Sequence, residues 1–403
     1  MLEYKKQKDF QKEVDIMKSK LILVILLLVL LLSGCSRKSE GLEFKLSDDK
    51  TYYTVIGIGS CEDSDIIIPK KYKNLPVTTI GKEAFLKCEQ LKTIEIANTI
   101  TTIEDHAFYE CTNLENVVFS INSKVDKIGS FAFNGCKKLS NIRIPKTAQI
   151  IGEHAFAVCE NLEEVVFQKG CELTKIEDFT FIGCENLSNI TLPNKITTIG
   201  KYAFTKCKSI KNIEIPNTVT NINEYAFTEC DSLKEVSFKK NSQLTIIGKS
   251  AFANCLNLTS IEIPNSVEKI GAFAFSNCSS LTSIELPKGI TILKEGTFTG
   301  CTSLEEIELS NVINEIEIEV FMDCVNLKKV TIPSSVTRIW THAFKNCRSL
   351  ESIIIPKSVS EMGSNVFLDC EKITIYCEVK SLPSGWDIYW NLDNHPVVWE
   401  YNK

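Results

Sequence analysis

Ile247-Gly248-Lys249-Ser250-Ala251-Phe252-Ala253-Asn254-Cys255-Leu256-Asn257-Leu258-Thr259-Ser260-Ile261-Glu262-Ile263-Pro264 is one copy of a phrase that this 403-residue chain repeats from about Ile80 to Cys370. Reduced to its constant positions the phrase reads I-G-x-x-A-F-x-x-C-x-x-L-x-x-I-x-I-P. Its cysteine returns thirteen times, at Cys88, Cys111, Cys136, Cys159, Cys184, Cys207, Cys230, Cys255, Cys278, Cys301, Cys324, Cys347 and Cys370, always 23 or 25 residues apart. A period of this size with aliphatic residues at fixed offsets predicts a solenoid, because one repeat cannot bury its apolar face without stacking on the next. The length therefore counts coils of one domain.

Within the phrase, Leu258, Ile261 and Ile263 alternate with polar residues, the period of a strand with one buried face. Pro145, Pro193, Pro216, Pro264, Pro287, Pro333 and Pro356 follow such strands. Proline lacks the N–H that a ladder needs and so belongs where the chain turns the corner. V-x-x-I-G then crosses the next side, and A-F-x-x-C closes the coil. Phenylalanine never fails at its position, so Phe85, Phe108, Phe204 and Phe252, with Cys88, Cys207 and Cys255, define the expected core column. Each buried ring contributes roughly 1.5–3 kcal/mol. The expected fold is a β-rich, right-handed leucine-rich-repeat coil of about thirteen 23–25-residue repeats, with one parallel sheet roughly 60 Å long at about 4.8 Å per rung. Three units are 25 residues long, and their two extra residues fall in Ser120–Val125, Gln168–Leu173 and Lys239–Leu244, expected bulges on one edge.

Residues 42–79 read as an N-terminal cap, 80–370 as the solenoid and 371–403 as a C-terminal cap whose Trp386, Tyr389, Trp390 and Trp399 shield the last coil. Upstream, Met17-Lys18-Ser19-Lys20 precedes a twelve-residue apolar run, Leu21 to Leu32, the pattern of a signal peptide over 17–34. That run is too short to span a bilayer as a stable helix. Leu32-Ser33-Gly34-Cys35 resembles the lipobox of bacterial lipoproteins, which implies cleavage before Cys35 and a lipid anchor there, with 35–41 a polar spacer. Residues 1–16 are a charged extension or precede the true start.

The thirteen consecutive phrases resemble the BspA-like leucine-rich-repeat family of bacterial surface proteins over roughly residues 42–403. The resemblance implies a surface-exposed solenoid, associated in some members with adhesion to host matrix proteins or other cells, and supplies no residue-level binding motif. The family's Gly after the anchor Ile is replaced here by Glu104, Glu177, Asn223, Lys294, Glu317 or Trp340, a looser turn on the same fold.

Forty-five basic against 51 acidic side chains, net charge −6, give no footprint for nucleic acid. Cysteines one rung apart satisfy the Cα separation of a disulfide, but in-register side chains point the same way and an odd number cannot all pair, so the column reads as buried free thiols. Cys370 and Cys377 remain a possible pair in the cap. No C-x-x-C pair offers converging metal ligands, and no cofactor is expected. His106, His154 and His342 share one repeat position with Phe131, Phe179, Tyr202, Tyr225 and Phe273, a semi-exposed aromatic column rather than a set of general bases. An enzyme would need polar groups gathered around His395, Asp387 and Asp393, where the composition looks structural.

The outward position between the two strand isoleucines carries Glu262, Glu285 and Glu308 on consecutive rungs, with Glu306 beside them. Like charges on neighbouring strands are mildly destabilising, so this face is either an ordinary solvated surface or one that a basic protein partner or a cation offsets. The expected function is a monomeric, non-enzymatic surface lipoprotein, exported and tethered at Cys35 outside the cytoplasmic membrane. It would recognise a host matrix or cell-surface protein; the alternative is an envelope spacer without a ligand.

Overall fold

The computed structural model describes residues 38–402; the proposed signal segment, Cys35 and the charged residues before it lie outside the described residues. Two segments of each repeat are extended, and each pairs with its equivalent in the next turn. The L-x-x-I-x-I segment does so as Asn212–Ile215 against Glu235–Phe238, in parallel with Ile213 opposite Val236. The residues before the Gly position do so as Asn221–Ile222 against Ile246–Ile247, with Ile222 opposite Ile247. The Gly248 amide then donates to the Ile222 carbonyl at 2.8 Å. The solenoid is as expected, but one parallel sheet undercounts its pairing. Parallel ribbons run along two sides, because backbone polar groups buried between turns must be paired wherever the chain is extended. Both ribbons are interrupted, the outward one into runs of two or three strands and the other into three longer runs.

The turns extend past the thirteen phrases at both ends. Glu43–Leu46 pairs antiparallel with Tyr53–Gly57, which pairs in parallel with Leu75–Ile80, while Asp65–Ile67 pairs with Thr93–Ile96. The N-terminal segment thus extends both ribbons, one by two further strands, and exposed Glu43 and Lys45 on its outermost strand discourage edge-to-edge association. At the other end Thr374–Cys377 is followed by Val397–Val398. Trp386 and Trp390 are buried there, and the Trp386 indole N–H donates to the Val359 carbonyl at 3.1 Å.

Among the described residues no helix forms; the A-F-x-x-C side is a series of tight turns. The longer units carry their extra residues as bulges, each with a left-handed residue three positions after the strand-ending phenylalanine: Asn122 (φ 60°), Gly170 (φ 82°) and Asn241 (φ 59°).

Candidate recognition face and the columns behind it

Every ring at the repeat's phenylalanine position, from Phe85 to Phe367, is buried and stacked on the next, with centroids 4.9–5.9 Å apart and planes within 15°, within the range of favourable offset stacks. Phe85, Phe108, Phe204 and Phe252 lie in this stack. The cysteine column lies against it and explains its own residue type. The Phe85 carbonyl accepts the Cys88 amide at 3.1 Å and the Cys111 thiol of the following turn at 2.9 Å. Phe227 repeats this with the Cys230 amide (3.3 Å) and the Cys255 thiol (3.2 Å). A carbonyl has two lone pairs, and a thiol is small and apolar enough for the core while still donating to the second one. The thiols are therefore donors as well as space-fillers.

The last phenylalanine shows the rule by its exception. No cysteine follows Cys370 in register, and the Phe367 carbonyl instead meets Nε2 of His395 at 3.0 Å. His395 stands 25 residues after Cys370, so the repeat period itself marks it as the column's final member. Asp393, 3.6 Å from the same nitrogen, accepts the Asp369 amide at 2.7 Å, and Asp387 accepts the Tyr389 amide at 2.7 Å. These three residues close the last coil rather than gather around a cavity.

Cysteines 61 through 377 are all free, Cys370 and Cys377 included. Burial pushes Cys111, Cys159 and Cys278 up to about 12 and Cys207 and Cys255 well above the ordinary thiol range. Cys88, at the open end of the column, is less buried and also raised, first by desolvation. Thiolate is the reactive form. In a chain beginning at residue 36, an aqueous thiol reagent at pH 8 is expected to modify Cys88 first and the column from Cys111 to Cys347 only after denaturation. Prompt modification of most cysteines in the native protein would contradict this arrangement.

The aromatic position two residues before the phenylalanine forms a second stack. His106, Phe131, His154, Phe179, Tyr202 and Tyr225 follow one another at 4.4–4.9 Å with planes within 12°. All six hold φ between 55° and 60°, an unusual conformation for bulky residues. Stacking covers the ring faces and leaves edges to solvent, so this column offers no platform for a stacking ligand.

The outward face differs. Glu262 and Glu285 are bridged in parallel across neighbouring turns, and Glu306–Glu308 forms the next strand, pairing Glu306 with Lys329 and Glu308 with Thr331. All four carboxylates are exposed. Several glutamates elsewhere find cations in adjacent turns, as Glu305 does with Lys328 at 2.8 Å and Glu172 with Lys195 at 2.6 Å. Among the described residues no ion pair involves Glu262, Glu285, Glu306 or Glu308. The rung Thr282–Leu286 forms no strand beyond the single bridge at Glu285, as repulsion between stacked carboxylates would favour.

Beside this rung the bulge after Phe238 walls a cavity of about 490 Å³, lined by Phe238, Asn241, Glu262, Pro264, Ser266 and Glu285 among others. Lys239 also lines it, but its ammonium is drawn to Asn194 at 2.7 Å and Glu214 at 3.6 Å. The Ser266 hydroxyl is buried without a hydrogen-bond partner. Sequence reading identified the carboxylates and the bulge separately. Their meeting at one cavity depends on the corner geometry that brings the bulge residues and the strand carboxylates to the same opening.

Solved structures share this architecture. A leucine-rich repeat protein from Bacteroides ovatus ATCC 8483 is 27% identical, with a TM-score of 0.67 over 91% of this chain and 100% of that one. A leucine rich cell surface protein from Faecalibacterium prausnitzii A2-165 is 29% identical, with a TM-score of 0.51 over 88% and 97%. The pneumococcal vaccine antigen PcpA shares the fold at 19% identity, with a TM-score of 0.54 over 92% and 99%. No curated protein matches the chain. The BspA type leucine rich repeat region matches residues 60–172, 171–258 and 245–374. With that repeat over most of its length and the phenylalanine and cysteine columns continuous through it, the chain belongs to the BspA type leucine rich repeat family.

Proposed function

We propose that the protein is a cell-surface recognition module that binds a basic protein partner through its outward strand face, adhesion being the role this suits best. The observation that carries the reading is the set Glu262, Glu285, Glu306 and Glu308, in no ion pair, beside the cavity that Asn241 helps to line. Inter-turn ion pairs occur along this solenoid, and these carboxylates, stacked on consecutive rungs and in no ion pair, form an acidic run that a lysine- or arginine-bearing surface would complement. Family membership and the likeness to a cell surface protein support display outside the cell. The lipobox-like Leu32-Ser33-Gly34-Cys35 supports tethering through a lipid on Cys35.

The test is a pull-down with residues 36–403 against extracellular-matrix and cell-surface extracts at low and moderate salt. A saturable, salt-sensitive protein partner that the Glu262→Lys, Glu285→Lys, Glu308→Lys triple variant fails to bind is the expected result. A partner bound equally by the variant would move recognition to another face. Recovery of nothing above background would favour a spacer without a ligand.

A further inference from the structure

We propose that His154 makes the stacked corner acid-sensitive: protonation of its ring loosens the contacts between its turn and the following one. The ring lies between Phe131 and Phe179, 4.4 Å from each and within 12° of parallel. Its Nδ1 is buried and has no hydrogen-bond partner. The neutral ring can hold its proton on Nε2 and leave a lone pair at Nδ1, whereas the imidazolium must bury a second N–H there with no acceptor, the costlier state in an apolar sandwich.

The charged groups around it do not supply that acceptor. Glu153 on its own turn and Asp178 on the next favour the charged ring from a distance, but neither forms an ion pair with it. Asp178 is engaged by the Lys201 amide at 2.8 Å. Lys175, which also feels Glu153 and Asp178, is paired with Glu177. From the preceding turn the ring meets Phe131, and the carboxylate near that corner, Asp105, accepts the Ser130 amide at 2.9 Å. Burial outweighs the two carboxylates and holds His154 below the ordinary histidine value.

A histidine whose folded value is lowered favours folding when neutral, and that contribution is lost as pH falls from about 6.5 toward the folded value. His342 occupies the same repeat position but has Nδ1 3.9 Å from Glu319, so a charge there has a partner. It provides the internal control.

Hydrogen exchange at pH 7 and pH 5, corrected for intrinsic rates, tests the proposal in the intact chain. The reporters are the His154, Phe156 and Val158 amides, which donate to Asp178, Thr180 and Ile182 of the following turn. Their protection is expected to fall on the order of tenfold at pH 5, with no comparable fall at the His342 and Phe344 amides. His154→Phe should abolish the fall, since Phe131 and Phe179 hold the same conformation in adjacent turns. Unchanged protection at pH 5, or an equal fall in the variant, would overturn the proposal. Imidazole NMR titration of the unsubstituted chain gives an independent answer: a His154 ring that protonates at or above the ordinary histidine value would overturn it as well.

Discussion

Raising the pH from 8 to 10 is expected to unfold this solenoid at temperatures where it is stable near neutrality, with its cysteines as the chief cause. Each column thiol from Cys111 through Cys347 is raised by burial, Cys111, Cys159 and Cys278 to about 12 and others further. In the unfolded chain the same thiols ionise near their ordinary value of about 8.5. A group whose folded value is raised contributes stability that is complete below the unfolded value and is lost as pH rises toward the folded one. The window here opens near the unfolded value of about 8.5 and extends to about 12. Within it each thiol removes about 1.4 kcal/mol per pH unit. Folded proteins keep only about 5–15 kcal/mol in total, so a handful of such groups is comparable with the whole margin. Circular dichroism between pH 8 and pH 11 should show a steep transition. Cys207→Ser, Cys230→Ser and Cys255→Ser together should make it shallower, because a serine hydroxyl can donate to the same phenylalanine carbonyl without ionising in that range. An unaltered transition in the triple variant would show that other groups govern alkaline unfolding.

The cysteine column was plain in the sequence, but the hydrogen bonds that its thiols make were not. Thirteen cysteines at a fixed interval announced a stack, but the carbonyl they share with the Phe–Cys turn appears only when consecutive turns are superposed, as at Phe85, Cys88 and Cys111. The solenoid, the phenylalanine core and the bulges were legible because each recurs as a residue type at constant spacing. The second ribbon was less so: two-residue strands such as Thr198–Ile199 end at the glycine position and read as punctuation before a turn. The left-handed corner was hidden for a related reason. Residues that mark positive φ, chiefly glycine and asparagine, are absent at Phe131, Phe179 and Tyr202, and in that column only Gly296 and Asn365 signal the conformation. Stacking on both neighbours holds these aromatic residues where their local preference is poor. The candidate face was half legible, because Glu262, Glu285 and Glu308 follow from register, whereas the absence of ion pairs and the cavity lined by Asn241 depend on where long side chains and a bulge settle.

Replacing Phe227 by alanine should produce the largest loss of stability from a single side chain, about 3–5 kcal/mol from the transfer and cavity terms. Phe227 is fully buried and stacks on Phe204 at 5.1 Å and Phe252 at 5.3 Å, so two stacked pairs are lost as well, each worth roughly 0.5–1.5 kcal/mol. Neighbouring rings cannot collapse into the gap without breaking the in-register ladders on both sides of the coil, Ile213–Val236 and Ile222–Ile247. In a solenoid each turn contacts only its neighbours, so the position of a substitution should matter. Phe367 at the end of the column stacks on Phe344 at 5.7 Å and meets Trp390 edge-on at 6.2 Å, and Phe367→Ala should fray the last coils while sparing the centre. Urea unfolding would compare the total losses, and hydrogen exchange would locate them. Loss of protection centred on turns 200–255 for Phe227→Ala and confined beyond about residue 340 for Phe367→Ala is the expected pattern. Equal, chain-wide losses from both would mean that the turns unfold as a single cooperative block, with stability set by the whole column rather than by each adjacent pair.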